Sequence, residues 1–250
     1  MKKISFLLAA VALLFIGRAN AQQTDTVSTH HWFMHNLSGA AQIQITYRQG
    51  DISQLNDALT ANGLKPISVN NIWINASMHH DNGSFMMEDG IGFTPVAMSS
   101  NNGLYAKYNQ YQLFFRAGYN VLKNADVKLY PFAGLNFSAS VLNIDDNAGI
   151  DKTGSLSNEL LNSTASKTFY EGNFGIELGA GFDYLIPVKP KQVDCITIKR
   201  NIPIGIRAGY YINAYAGDWK IDNHSLQGGD QKQSAVFVSF NIGLGYEISK

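Results

Sequence analysis

The stretch SAVFVSFNIGLGYEISK, residues 234–250, decides how this chain folds. Val236, Val238, Phe240, Ile242, Leu244, Tyr246 and Ile248 share one parity, and Phe237, Ser239, Asn241, Gly243, Gly245 and Glu247 share the other. A period of two is the side-chain period of a β-strand, so one face is apolar and the other is mostly small or polar. Either a water-soluble core or lipid would satisfy the apolar face.

The same alternation recurs along the chain. At 173–186, Phe174, Ile176, Leu178, Phe182 and Tyr184 oppose Gly175, Glu177, Gly179, Gly181 and Asp183. At 202–216, Ile204, Ile206, Tyr210 and Ile212 oppose Gly205, Arg207 and Gly209. Segments 110–121, 128–141 and 41–48 repeat it, and placing Arg116, Lys128 and Arg48 on their polar faces follows from parity alone. Weaker strands at 68–79 and 84–98 bring the count to about eight, with Pro95 weakening the second.

The N-terminus supplies the compartment. Lys2 and Lys3 precede a nearly unbroken apolar run from Ile4 to Ile16, and Ala19-Asn20-Ala21 has the small-x-small form of a cleavage site. This is a secretory signal peptide, residues 1–21, with cleavage expected near Ala21; its apolar part is too short to span a membrane. No later stretch approaches the roughly 18 apolar residues of a spanning helix. The mature chain then divides into an N-terminal periplasmic segment, 22–38, and one β domain, 39–250.

Composition narrows the class further. Basic and acidic residues balance at 19 each, which gives no reason to expect a nucleic-acid partner. Charged residues make up 15% of the chain, against roughly 25% in ordinary soluble domains. The single cysteine, Cys195, excludes an internal disulfide.

Strand length and polar-face content separate lipid from core. The strands reach or exceed the roughly 9 to 11 residues that cross a bilayer when tilted. Their polar faces carry Arg, Glu, Asp, Asn and Gly, which suits a narrow interior better than a solvated surface. Both features predict a closed, antiparallel, up-and-down transmembrane β-barrel of about eight strands, apolar outside and polar inside. Short joins near 80–83 and 122–126 then lie on the periplasmic side, and longer ones at 50–66, 145–167 and 218–233 lie outside. The long join at 188–201 on the periplasmic side and the short one at 99–103 on the outer side break this rule. Tyr119, Tyr184 and Tyr246 fall near one rim and Tyr47, Tyr105 and Tyr170 near the other, as two aromatic girdles.

These residues resemble the small eight-stranded outer-membrane barrels of Gram-negative bacteria, the class of the OmpA transmembrane domain and OmpX. The resemblance covers essentially 39–250 and rests on pattern rather than on a diagnostic motif. It implies the outer membrane as location, outer-membrane lipids as surroundings, and the barrel-assembly machinery as a partner during insertion. The last strand resembles the assembly signal of such barrels through Tyr246, although Lys250 rather than an aromatic is final.

One segment reads as helical. In DISQLNDALTANGLKP, Asp51 and Gln54 have the spacing of a capping box, Gly63 is placed for a C-cap and Pro66 follows. This helix, 51–64 in the first long loop, folds over the barrel mouth, plugs the lumen or docks a partner.

The chemical candidates are weaker. His30, His31 and His35 are close, but no helix aligns them and no carboxylate adjoins, so no metal or other cofactor is expected. His79 and His80 precede the turn Asp81-Asn82-Gly83 and read as solvated. His224 and Ser225 in the last long loop are adjacent and therefore point apart, whereas a nucleophile and its base must lie within hydrogen-bond reach. No catalytic residue is assigned. The interior charges are expected to pair: Arg48, Arg116, Lys128 and Arg207 with Glu88, Glu177, Asp183 and Glu247. The functional expectation is a non-catalytic barrel acting through its outer loops, as an accessory subunit of an envelope assembly. A lipid-modifying enzyme and a small diffusion pore are the alternatives.

Overall fold

The computed structural model describes residues 38–68, 71–122, 124, 126–146, 166–193, 196–222, 224–226 and 234–249, all within the unit Asn36–Lys250. The signal sequence, the His30, His31 and His35 cluster and Cys195 lie outside the described residues.

The principal strands are β1 (Ser38–Arg48), β2 (Ile72–Asn82), β3 (Phe85–Phe93), β5 (Leu104–Tyr119), β6 (Val127–Asp146), β7 (Ser166–Val193), β8 (Ile196–Ala216) and β11 (Ala235–Ser249). Each pairs antiparallel with the next, and β1 pairs with β11 from Ser38↔Glu247 to Arg48↔Phe237. The ring is therefore closed with eight strands and leaves no free edge along its length. That is the condition for a sheet whose outer surface meets no water.

The alternation in the sequence is realised as burial. On β11, Val236, Val238, Phe240, Ile242 and Leu244 are exposed on the outside, while Phe237, Ser239 and Asn241 are buried. On β1, Ile43, Ile45 and Tyr47 face out while Gln42, Gln44, Thr46 and Arg48 are buried. Apolar residues outside and polar residues inside invert the pattern of a soluble sandwich, in which the buried face is the apolar one.

Locally, the structure departs from the expected strands and joins. The strand expected at 84–98 is broken at 94–96, so β3 is followed by a separate short strand, β4 (Ala97–Asn101), paired to β5. Pro95 cannot donate to a ladder. Beside it the Thr94 hydroxyl replaces a backbone acceptor, taking the Gln110 N–H at 2.9 Å while the Thr94 N–H donates to the Gln110 carbonyl. The short outer join becomes a two-residue Asn102-Gly103 turn, both residues at positive φ (50° and 87°), as a type I′ hairpin requires.

The join at 188–201 is not a loop. β7 and β8 continue as a hairpin to Val193↔Ile196, with a bulge between Val188 and Lys191, and β11 follows β8 to Ser249↔Thr197. β6 begins only at Val127↔Tyr184, so this three-stranded extension runs beyond the end of the barrel that carries the short turns. Pro187 and Pro190 lie on its β7 edge, where proline and lysine discourage pairing with other chains. The loop at 218–233 likewise contains a small hairpin, β9 (Lys220–Ile221) and β10 (His224–Ser225), with β9 paired to β7.

Finally, helix α1 (Ser53–Ala61) starts without the expected capping box: Asp51 accepts the Ser53 N–H at 2.9 Å, and Ile52, which makes no side-chain cap bond, is the N-cap. Its C-terminus does follow the sequence signal. Gly63 sits at φ 78°, and the Leu64 and Gly63 N–H groups donate to Leu59 and Thr60. These two bonds form a Schellman motif.

Candidate functional site

The interior of the barrel is the candidate site. A ring of eight strands is just wide enough for side chains to fill it, and here they do. Glu88 on β3 is the hub: its carboxylate is 2.7 Å from Arg207 Nη1 and 3.2 Å from Arg116 Nη1, and it also accepts from Gln44. Arg116 Nε donates to Glu177 Oε2 at 2.6 Å. Asn136 donates to the other Glu177 oxygen at 2.8 Å. Arg207 uses its remaining donors on the Tyr130 hydroxyl (2.9 Å) and Gln42 Oε1 (2.8 Å). Asp183 accepts from Tyr130 and Asn241, both at 2.9 Å. Arg116, Arg207, Glu88, Glu177 and Asp183 are all buried.

Three expected members, Arg48, Glu247 and Lys128, sit elsewhere. Arg48 is buried and inward, but among the described residues it forms no ion pair. Its guanidinium lies 4.2 Å from the Trp73 ring centre and 4.4 Å from that of Tyr211, and it donates to Gln112 at 3.2 Å. Being planar and weakly hydrated, a guanidinium stacks between rings in a way an ammonium does not. Glu247 is half exposed at the rim, opposite Ser38 at the end of the β1–β11 ladder, and pairs with Lys199 of the neighbouring β8 at 3.1 Å. Lys128 pairs at 2.6 Å with Asp81, which also accepts from Ser38 and contacts the His79 Nε2. Asp81 and His79 belong to the end of β2 rather than to a solvated turn; His79 is buried and His80 lies 3.6 Å from Asp89.

Sequence reasoning missed the neutral donors and acceptors of the network: Gln42, Gln44, Tyr130, Asn136 and Asn241. Their inward parity is visible in sequence, but they carry no formal charge to mark them as members of an ion network. It also missed Glu171, buried on the inward face of β7.

Above this polar layer the barrel is closed by apolar packing. Leu55, Leu59 and Leu64 of the helix region, with Ile52 and Ile67, bury against Ala106 and Tyr108 of β5, Leu142 of β6 and Trp219. Asn56 staples the returning chain by accepting the Ile67 N–H and donating to the Ile67 carbonyl. Asn101 and Ser99 of β4 bond the carbonyls of Gly63 and Lys65 at 2.7 Å. The helix therefore lies across the end of the barrel at which β5 begins.

Of the girdle tyrosines, Tyr47, Tyr119, Tyr184 and Tyr170 are exposed on the outer face, Tyr170 with its hydroxyl bonded to the Asp222 carbonyl. Tyr105 and Tyr246 are half buried. His224 and Ser225 occupy successive positions of β10, opposite Ile221 and Lys220, and so point to opposite faces.

No family model and no curated protein matches this chain. Among solved structures, it overlaps a major outer membrane protein from Thermus thermophilus at 12% identity and TM-score 0.45, covering 85% of this chain and 100% of that one. Neisserial surface protein A overlaps at 10% identity and TM-score 0.35, covering 86% and 97%. The outer membrane protease OmpT from Escherichia coli overlaps at 10% identity and TM-score 0.31, covering 90% and 99%. These overlaps are loose, and the barrel stands on its own closed ring of strand pairs.

Proposed function

We propose that this chain is an outer-membrane β-barrel with a sealed interior, working as a non-catalytic structural or docking element of the envelope. The observation that carries the reading is the inversion of burial: arginines and carboxylates inside, and a continuous surface of Ile, Leu, Val, Phe and Tyr outside. Water would penalise that surface, whereas hydrocarbon suits it. The outward apolar residues span the ring without interruption, and no helix among the described residues is long and apolar enough to cross a membrane instead.

Sealing follows from the network and the helix together. An ion entering the lumen would have to displace side chains that satisfy one another, at a cost far above that of a wet channel. That disfavours a diffusion pore, and the divergence of His224 and Ser225 removes the one suggested catalytic pair. Function then falls to the surfaces beyond the bilayer, where an envelope partner would reach the outer loops.

The test is direct. Mature protein is expected in the outer-membrane fraction, with a gel mobility that shifts between unheated and boiled samples and no steady single-channel conductance in planar bilayers. Recovery as a soluble monomer would sink the membrane reading. A large steady conductance would sink the sealed lumen alone.

A further inference from the structure

The extension of β7, β8 and β11 past the barrel carries a change of surface composition from one cross-strand row to the next. On the outward face Ile186 stands opposite Ile202, a row that suits hydrocarbon. In the next row Val188, Arg200 and Tyr246 lie side by side across three strands. Apolar, cationic and aromatic in one row is the composition of a lipid–water interface. The bulge between Val188 and Lys191 falls immediately beyond it, and a bulge re-aims the side chains it contains.

Arg200 is held in place: its Nε and Nη2 donate to the Lys189 carbonyl at 3.2 and 2.9 Å. That bond draws the backbone of Lys189 up to the guanidinium, with Lys191 two residues on. Among the described residues no ion pair cancels this charge. Among the described residues of the extension the carboxylate is Glu247, and it is paired with Lys199. Arg200, Lys189 and Lys191 are all exposed.

We propose that this row is a headgroup site: Arg200, with Lys189 and Lys191, binds the phosphate of an anionic glycerophospholipid at the rim of the barrel that carries the short turns. Arg supplies a fork matched to phosphate oxygens, and the two lysines add point charges. Tyr246 beside Arg200 sits at the level where an amphipathic ring favours the headgroup boundary. An acidic protein partner would need no such continuity with the hydrocarbon-facing rows, which is why a lipid is the favoured occupant. The proposal rests on the outer-membrane reading above.

The experiment uses the full mature chain, inserted into nanodiscs of phosphatidylcholine containing a minority of phosphatidylglycerol. Lipids retained after gentle detergent extraction are counted by native mass spectrometry. One basic residue near an anionic surface is worth up to about fivefold in affinity, so wild type should retain phosphatidylglycerol at least about fivefold above its bulk share. The K189Q/K191Q double variant, which removes no backbone bond, should lose most of that enrichment. Adding R200Q should abolish it while heat-modifiable mobility persists. Insertion without enrichment, or enrichment that survives in the double variant undiminished, overturns the headgroup site alone. Failure of wild type to insert into either lipid overturns the membrane reading and this one with it.

Discussion

Arg116 and Glu177 stand 61 positions apart in sequence and meet across the barrel interior, Nε to Oε2 at 2.6 Å, with side chains only 4% and 3% exposed. A pair so far from water is worth little relative to an apolar isostere, but breaking it strands a buried charge. Arg116→Ala is therefore expected to destabilise the barrel by ~3 to 5 kcal/mol, read from urea unfolding in lipid. Combining it with Glu177→Gln should recover part of that loss. Additive effects would show that the two groups do not interact.

Glu88 separates a network from isolated pairs. Its carboxylate serves both Arg116 and Arg207, so Glu88→Gln leaves two guanidinium groups short of a partner. It should cost more than Glu177→Gln in the same unfolding assay. Equal losses would mean that Arg207 is satisfied by Tyr130 and Gln42 alone.

How much of this was legible in sequence depends on where each constraint acts. Parity was readable for Ile43, Leu178 or Arg207 because lipid on one side and a crowded lumen on the other both impose a period of two. Pairing was not readable: Glu88 and Arg207 are 119 residues apart, and their contact depends on ring closure and strand stagger rather than on local pattern. Nor could charge counting find that Arg48 stacks on Trp73 and Tyr211, since the aromatic partners looked like ordinary members of their strands. The segment PVKPKQV, 187–193, reads as a loop because proline and lysine are poor strand formers, yet those are the residues that protect an exposed edge. The helix stop was visible, since Gly63 answers a backbone requirement within a few residues.

The outward face makes its own prediction. Leu178 is 48% exposed on the outer surface of β7. In lipid, Leu178→Arg should destabilise by roughly 2 to 4 kcal/mol at mid-bilayer depth. A soluble protein would tolerate a surface arginine there, so unchanged stability would place the face in water.

A pH dependence is expected where β5 begins and β6 ends. Asp145 accepts from Lys107 Nζ at 2.8 Å and from Ser166. The Lys107 hydrogen bond, partly opposed by desolvation, holds its carboxyl below the ordinary aspartate value. A depressed folded-state value contributes stability that is fully present above the unfolded value and lost as pH falls through the folded one. With Lys107 half exposed the contribution should stay under about 1 kcal/mol. Lys107→Met should move the Asp145 titration, followed by carboxyl NMR shifts, upward toward the ordinary aspartate value; an unmoved titration would count against the bond.

Two layers close the barrel, and they can be separated. Gly63 has open space around the position of a Cβ, so Gly63→Ala should cost only the backbone strain of φ 78°, about 1 kcal/mol. That loss should appear as faster hydrogen exchange at the Leu64 amide, with the strands unaffected. Replacing Leu55 and Leu59 together by Asp should go further, expelling the helix from its contacts with Ala106, Tyr108, Leu142 and Trp219. The ion network lies in a separate layer, between Glu88, Arg116, Glu177 and Arg207, and does not use the helix. Conductance of the Leu55→Asp/Leu59→Asp variant in planar bilayers should accordingly remain at baseline while protease access to residues 51–67 rises. A steady current appearing only in that variant would assign the seal to the helix, and the polar layer beneath it would then be a hydrated passage.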